Sequence, residues 1–153
     1  MIKNERQYRI TNAQAENFRK AVRELQSKLK GEADQKRTLG GKLQLSALEA
    51  QLSDLEAELR EYENLQEKHN DAMEITSLAE LPSVLIKARI AGGLTQKQLA
   101  DKLGIKEQQV QRYEATDYAG ASLQRIQQVL EALGVRLESG FLYRASVDTS
   151  LHL

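Results

Sequence analysis

The chain has 153 residues, 41% of them hydrophobic and 29% charged, which is a composition typical of one soluble domain or two small ones. No apolar run approaches the roughly 20 residues that a bilayer-spanning helix needs, and the first ten residues lack the apolar core of a signal peptide, so we expect a cytoplasmic protein without membrane contact. The absence of cysteine excludes disulfides and thiolate sites, and the two histidines are far apart in sequence, so no metal site or other cofactor is expected.

The net charge of zero conceals an uneven distribution of charge along the chain. Residues 1–40 hold ten basic and five acidic side chains, residues 41–80 hold three and ten, and residues 81–153 hold nine and seven. The overall neutrality therefore does not exclude a nucleic-acid partner, and the opposite charges of the first two segments favour their packing against each other.

Two apolar stripes with heptad spacing predict a helical hairpin in the first half of the chain. The first helix is expected over about residues 12–29. Residues 31–41 carry three glycines and no stripe, which predicts a loop, and a longer second helix of about 25 residues follows. The stripes consist of Ala15, Phe18, Val22, Leu25 and Leu29 in the first helix and Leu45, Leu48, Leu52, Leu55, Leu59 and Tyr62 in the second.

A two-helix hairpin buries too little apolar surface to be stable alone, so its stripes need a further covering surface. A second copy of the chain is the simplest source, and a homodimer is the prediction. Packing of the hairpin onto the second half of its own chain is the alternative. The predicted dimerisation residues are Phe18, Val22, Leu25, Leu48, Leu52, Leu55 and Leu59.

The joint between two domains is predicted at residues 64–80, where the stripe ends and polar residues accumulate. We therefore divide the chain into a hairpin at residues 1–75, a second helical domain at residues 76–136 and a short strand or tail at residues 137–153. Pro82 suits the first turn of a new helix, because proline lacks the N–H that is unpaired there.

Four short helices are predicted in the second domain, at about residues 81–90, 96–103, 106–115 and 122–133, with Leu123, Ile126, Val129, Leu130 and Leu133 of the last one facing inward. Thr95 and Gln98 have the spacing of a capping box, and Gly104 can take the left-handed conformation that ends a helix. The second and third helices meet across a short turn, with a small residue at Ala100 and a β-branched residue at Val110. This is the helix-turn-helix arrangement.

Residues 94–114, LTQKQLADKLGIKEQQVQRYE, together with the helix that ends in LGV at residues 133–135, resemble the Xre or Cro/C1-type helix-turn-helix proteins. This family includes phage repressors and HigA-type antitoxins, and the resemblance covers roughly a third of the chain. It implies an all-α, lambda-repressor-like domain whose third helix enters the major groove of double-stranded DNA. The positions implied to contact DNA are Lys106, Glu107, Gln108, Gln109 and Arg112 on the third helix, and Gln96 at the start of the second helix, which matches a position that touches phosphate. Lys97 and Lys87 are predicted as additional phosphate contacts.

The chemistry of these side chains fits base recognition independently, since glutamine pairs bidentately with adenine and arginine with guanine. Two positions depart from the family pattern. Lys106 stands where a capping serine or threonine is common, and Glu107 would repel phosphate, although its carboxylate can accept from cytosine or suit the helix dipole. An ordinary solvated helix face is the alternative interpretation of these residues.

The sequence thus predicts a sequence-specific repressor that binds an inverted-repeat operator as a homodimer, with half-sites about 34 Å apart. The resemblance extends this to an antitoxin that represses its own operon and binds a toxin protein. The alternatives are a stand-alone phage-type or stress regulator, and a coiled-coil interaction protein that uses the helix-turn-helix as a scaffold. The sequence contains no catalytic triad, phosphate-binding loop or metal cluster, so we do not expect an enzyme.

Apolar and charged residues alternate over residues 135–138, which predicts a short strand.

Overall fold

The computed structural model describes residues 1–31, 35–67 and 73–136, and of residues 35–37 only the backbone. Within these residues the chain forms six α-helices and one short 3-10 helix, without a strand, so the predicted all-α class is confirmed. Residues 137 and 138 of the strand predicted at residues 135–138 lie outside the described residues, as does the whole segment predicted as a strand or tail at residues 137–153. The predicted domain boundary at residue 75 stays a prediction. No described helix is both long and apolar enough to cross a membrane.

The hairpin consists of α1 (Glu5–Lys30) and α2 (Gln35–Glu67), and both helices are longer than predicted. α1 begins early because the side chain of Asn4 accepts a hydrogen bond from the Gln7 N–H at 2.9 Å, which caps the helix. The prediction of a loop through residue 41 was wrong, since Gly40 and Gly41 lie inside α2. Glycine lowers helix stability by about 1 kcal/mol, which a helix of this length tolerates.

Gly41 has a packing role that explains its place in a helix. A Cβ atom at this position would clash with the side chain of Leu29 near the end of α1, whereas a Cβ at Gly40 would meet nothing within 4 Å. The two helices therefore approach each other closely beside the hairpin turn.

The predicted apolar stripes face the interior of the hairpin. Ala15, Val22, Leu59 and Tyr62 are buried, whereas five of the seven predicted dimerisation residues are only partly buried, namely Phe18, Leu25, Leu48, Leu52 and Leu55. Polar pairs between the helices flank the stripes, among them Arg19 with Glu56, Gln26 with Glu49 and Tyr8 with Glu63. A single hairpin thus covers its stripes incompletely.

The second half of the chain contains α3 (Leu81–Ala91), α4 (Gln96–Leu103), α5 (Glu107–Ala115) and α6 (Leu123–Leu133), each within about a residue of its prediction, and the 3-10 helix Leu78–Glu80 precedes them. The capping box is confirmed: the Thr95 hydroxyl accepts from the Gln98 N–H at 3.1 Å, and the Gln98 side chain accepts from the Thr95 N–H at 2.8 Å. Gly104 ends α4 with a φ of 65°, in the left-handed conformation that glycine adopts readily.

The core of these four helices is formed by Leu85, Ile86, Leu99, Val110 and Val129, each almost completely buried. Ile126, Leu130 and Leu133 of α6 pack against it as predicted. The prediction that Leu123 faces inward was wrong, since this side chain is 82% exposed. Leu123 is the first residue of α6, and its side chain tilts back beyond the end of the helix, because Cα–Cβ bonds point towards the N-terminus of a helix.

The hairpin and the four helices share one core. Ile2, Leu59 and Tyr62 belong to the same cluster of buried residues as Leu85 and Ile86. At the surface of this junction the Lys87 ammonium forms an ion pair with Glu61 of α2 at 2.7 Å. One end of the hairpin therefore packs onto its own chain, which was the alternative to dimerisation in the sequence interpretation.

The two neighbouring glycines of α2 provide a matched test of the hairpin packing. Gly40→Ala is expected to stabilise the protein by about 0.5–1 kcal/mol, because alanine has the higher helix propensity and space is free. Gly41→Ala is expected to stabilise less or to destabilise, because Leu29 must change its rotamer. Urea denaturation of both variants measures the difference, and equal stabilisation would contradict the close approach at Gly41.

Candidate nucleic-acid interface

The turn between α4 and α5 holds these helices in a fixed orientation. The Ile105 N–H donates to the carbonyl of Ala100 at 3.0 Å, and the Gly104 N–H donates to Asp101 at 3.2 Å, a pattern that closes the end of α4. Ala100 and Val110 are both 1% exposed, so α5 packs closely against α4 through its inner side. The outer side of α5 faces solvent on a rigid support.

Five residues predicted to contact DNA lie at the N-cap of α5 or on its outer side, and all are exposed and outside the area that the hairpin covers: Lys106, Glu107, Gln108, Gln109 and Arg112. The side chains of Lys106, Gln108 and Arg112 make no hydrogen bond or ion pair with any other part of the chain that the structure describes. Gln108 and Arg112 are four residues apart, so they lie on the same side of α5, one turn from each other. This free surface is available to a ligand.

The other two α5 side chains have partners within the helix. The Gln109 side chain accepts a hydrogen bond from the Lys106 N–H at 3.2 Å, which supplies half of a capping box at a position where lysine cannot cap. Glu107 accepts a hydrogen bond from Gln111 at 3.1 Å. Both side chains thus stabilise the first turn of α5. Their contact with DNA stays a prediction.

Gln96 lies apart from the other predicted contacts, because its side chain is only 8% exposed. Its amide nitrogen donates to the Glu114 carboxylate at 2.8 Å, and its amide oxygen accepts from Asn4 at 3.3 Å. The sequence pattern contains no indication that Asn4 covers this position. The groups at the start of α4 that can contact a phosphate are therefore the unpaired backbone N–H groups of its first turn and the exposed side chain of Lys97.

The predicted additional phosphate contact, Lys87, is only partly exposed in the structure. Its ammonium group is held by the Glu61 carboxylate of α2 at 2.7 Å, which lowers its availability to a second anion.

A buried ion pair supports the interface from behind. Arg89 of α3 is 3% exposed and Glu114 of α5 is 0% exposed, and the guanidinium donates two hydrogen bonds to the carboxylate, at 2.5 and 2.8 Å. The same guanidinium also donates to the backbone carbonyls of Leu94 and Lys3. Every buried side-chain polar atom in the described residues has a partner. A single cation thus joins α3, α5, the α3–α4 turn and the N-terminal segment, which is residues 1–4 before α1.

Lys3 adds a second connection between the N-terminal segment and α5. Its ammonium donates to the backbone carbonyl of Glu114 at 2.5 Å and to the Asp117 carboxylate at 2.9 Å. A cation at the C-terminal end of a helix also interacts favourably with the helix dipole. Sequence reasoning missed Lys3, Arg89 and Glu114. Arg89 alone had an indication in the sequence, since it stands between Ala88 and Ile90 in the largely apolar α3.

The end of α5 is held by stacked tyrosines. The rings of Tyr113 and Tyr118 lie 5.8 Å apart and nearly parallel. Burial raises the pKa of the Tyr118 phenol, and the nearby Glu114 carboxylate raises this pKa further, so the ring is neutral at physiological pH. Asp117 and Tyr118 have φ angles of 47° and 56°, a conformation that non-glycine residues seldom adopt, and it reverses the chain sharply after α5.

Comparison with known families agrees with this geometry. Residues 85–139 match the helix-turn-helix family model, from within α3 to just beyond α6. This part of the chain is a helix-turn-helix domain of the Xre and lambda-repressor type. A domain of this type is a DNA-binding module of transcription regulators and does not represent an enzyme family. The match covers about a third of the chain and gives no support to the narrower resemblance to HigA-type antitoxins. No match was found among the curated proteins or among the solved structures.

The buried ion pair makes a strong prediction about stability. Arg89→Leu leaves the Glu114 carboxylate buried without its cation, and we expect the free energy of unfolding to fall by about 3–5 kcal/mol. Lys87→Leu is the matched control, because it removes a cation from a more exposed pair, and its loss should be about 1 kcal/mol or less. Urea denaturation measures both, and similar losses in the two variants would show that the Arg89 pair has no special role.

Proposed function

We propose that this DNA-binding regulator is a sequence-specific transcriptional repressor that contacts the base edges of its operator through α5. The observation that carries the proposal is the free, exposed pair of Gln108 and Arg112 on a helix whose opposite side is fixed by Val110. In the major groove, glutamine can pair bidentately with adenine and arginine with guanine. Lys97, Lys106 and the first turn of α4 are suited to contact the adjacent phosphates.

We further propose that the repressor binds an inverted repeat as a homodimer. Support comes from the partly buried stripe of the hairpin, because Leu48, Leu52 and Leu55 on α2 and Phe18 and Leu25 on α1 keep apolar surface that a second hairpin can cover. Two hairpins packed in this way form a four-helix bundle. The bundle would hold the two α5 helices at the spacing of successive major grooves, about 34 Å.

The role of an antitoxin with its own operon as target belongs to the same proposal, and its support is the family resemblance alone. In that case the hairpin would bind the toxin in addition to, or instead of, a second copy. Co-purification with the product of the adjacent gene tests this extension separately. The alternative of a coiled-coil interaction protein with an inactive helix-turn-helix is less favoured, because it leaves the free side chains of Gln108 and Arg112 without a role.

The α5 contacts are tested by alanine substitution. Gln108→Ala and Arg112→Ala should each weaken binding to a specific duplex, selected from a random pool by the wild-type protein, by about 1–3 kcal/mol. Binding to unrelated duplex should change less, because the base contacts are lost selectively. The control is Arg125→Ala with Gln128→Ala on α6, which removes the same two side-chain types elsewhere on the domain. Unchanged specific binding of both α5 variants, measured by fluorescence anisotropy, would refute the assignment.

The dimer interface is tested by introducing charge into the hairpin stripe. Leu52→Lys with Leu55→Lys should convert the dimer to monomers and weaken operator binding, because two lysines cannot be buried between hairpins. Sedimentation measures the mass, and circular dichroism checks that the hairpin keeps its helices. Ala50→Lys with Ala57→Lys, at exposed positions of the same helix, is the control. A wild-type monomer, or a dimer that survives the leucine substitutions, would contradict this interface.

A further inference from the structure

One face of α1 is basic and has no partner in the described chain. We define the basic face by five exposed side chains that lie opposite the stripe packed on α2, and none of them makes a hydrogen bond or ion pair with the residues that the structure describes: Arg6, Arg9, Lys20, Arg23 and Lys30. Their spacings of 3, 11, 3 and 7 residues place them in one line along this side of the helix, with a gap of about 16 Å between Arg9 and Lys20. Three acidic residues, Glu5, Glu16 and Glu24, lie on the same side of the helix, and Glu16 is paired with Arg19, so five cations and three carboxylates leave this side with an excess of positive charge.

The basic face starts beside the helix-turn-helix. Asn4, which caps α1, donates a hydrogen bond to the side chain of Gln96 at the start of α4. Lys3, one residue earlier, contacts the end of α5 through the carbonyl of Glu114. α1 therefore begins at the edge of the domain where the first turn of α4 is available to a DNA phosphate. The N-terminal segment covers Gln96 and brings Arg6 and Arg9 to this edge.

The dimensions of the basic face suit a DNA backbone. From Arg6 to Lys30 the line extends roughly 36 Å at 1.5 Å per residue. One turn of B-DNA is about 34 Å long and carries one phosphate charge per 1.7 Å of axis. A straight row of cations of this length can therefore contact phosphates at several points.

The acidic helix α2 of a second copy is the other ligand with suitable charge, and it is less well matched. Five of the seven carboxylates of α2 already have partners within the chain: Glu49 with Gln26, Glu56 with Arg19, Glu58 with the amino group of Met1, Glu61 with Lys87 and Glu63 with Tyr8. A second copy would have to break these contacts before its α2 could neutralise the basic face. The phosphates of DNA are neutralised only by mobile counterions, and the release of these counterions favours binding.

We propose that the basic face of α1 is a second DNA-contact surface, which binds the phosphates that flank the bases contacted by α5. The hairpin then has two functions on its two helices: α2 packs on α3, and α1 extends the footprint beyond the helix-turn-helix domain. The contact is independent of base sequence, because phosphates are identical along the duplex. This proposal rests on the proposed function, since it requires α5 to be bound to the same duplex.

The test compares two pairs of substitutions with a control of equal charge. Arg6→Gln with Arg9→Gln and Lys20→Gln with Arg23→Gln each remove two cations from the basic face. Lys42→Gln with Arg60→Gln removes two exposed cations from α2 and is the control. The probes are the duplex that wild-type protein selects from a random pool, with flanks of about 10 base pairs on each side and without them.

Affinity for the flanked duplex falls as salt is added. Each phosphate contact that is lost should make the plot of log affinity against log salt less steep by about 0.9. For two contacts, the affinity of the α1 variants should fall about tenfold less than that of the wild type between 50 and 200 mM salt. On the unflanked duplex, all variants should bind like the wild type. The control pair should match the wild type on both duplexes apart from a small uniform effect of net charge.

Three results would overturn the proposal, and they are distinguishable. If the wild type selects no duplex, the proposed function fails and this proposal fails with it. If the wild type binds but both α1 pairs behave like the control on the flanked duplex, the basic face does not contact DNA although α5 does. If an α1 pair lowers the mass in sedimentation while the control does not, the basic face is a protein interface.

Discussion

The architecture depends on one buried cation. The guanidinium of Arg89 lies almost fully out of solvent, and its hydrogen bonds go to the Glu114 carboxylate and to two backbone carbonyls in different parts of the chain. A buried charge is tolerated only when such partners are all in place, because its desolvation is costly. Arg89 therefore fixes three things at once: the angle of α5, the turn before α4 and the position of the N-terminal segment from which α1 starts.

This constraint links the hairpin to the surface of α5. Without the N-terminal segment, Arg89 would lose its hydrogen bond to the backbone carbonyl of Lys3. The end of α5 would lose the hydrogen bond that the Lys3 ammonium donates to the carbonyl of Glu114. The hairpin is thus joined to the helix-turn-helix by buried polar contacts as well as by apolar packing, and the free side chains of Gln108 and Arg112 are presented on a surface with little freedom to shift. Because a rigid support already holds these side chains in place, less conformational entropy is lost when they bind.

Local patterns predicted the fold well. The heptad stripes, the capping box at Thr95 and the helix-ending Gly104 each depend on residues a few positions apart, so their physics is visible in the sequence. The predicted start of α2 was wrong, because Gly41 was taken as a sign of a loop. This glycine stands inside the helix because α2 passes close to Leu29 of α1. The burial of Gln96 was missed for the same reason, since it results from Asn4 and Glu114, which are distant in sequence. Contacts of this kind require the three-dimensional structure.

The exposed face of α5 is the surface that we propose contacts base edges, whereas α6 and the acidic α2 stay free of DNA. Amide chemical shifts of isotope-labelled protein, followed while the selected duplex is added, test this proposal most directly. We expect large shift changes over residues 106–112 and small ones over α6, with slower exchange of the side-chain N–H protons of Gln108 and Arg112 with solvent. Changes confined to α6 or to the acidic α2, with α5 unaffected at saturation, would contradict it.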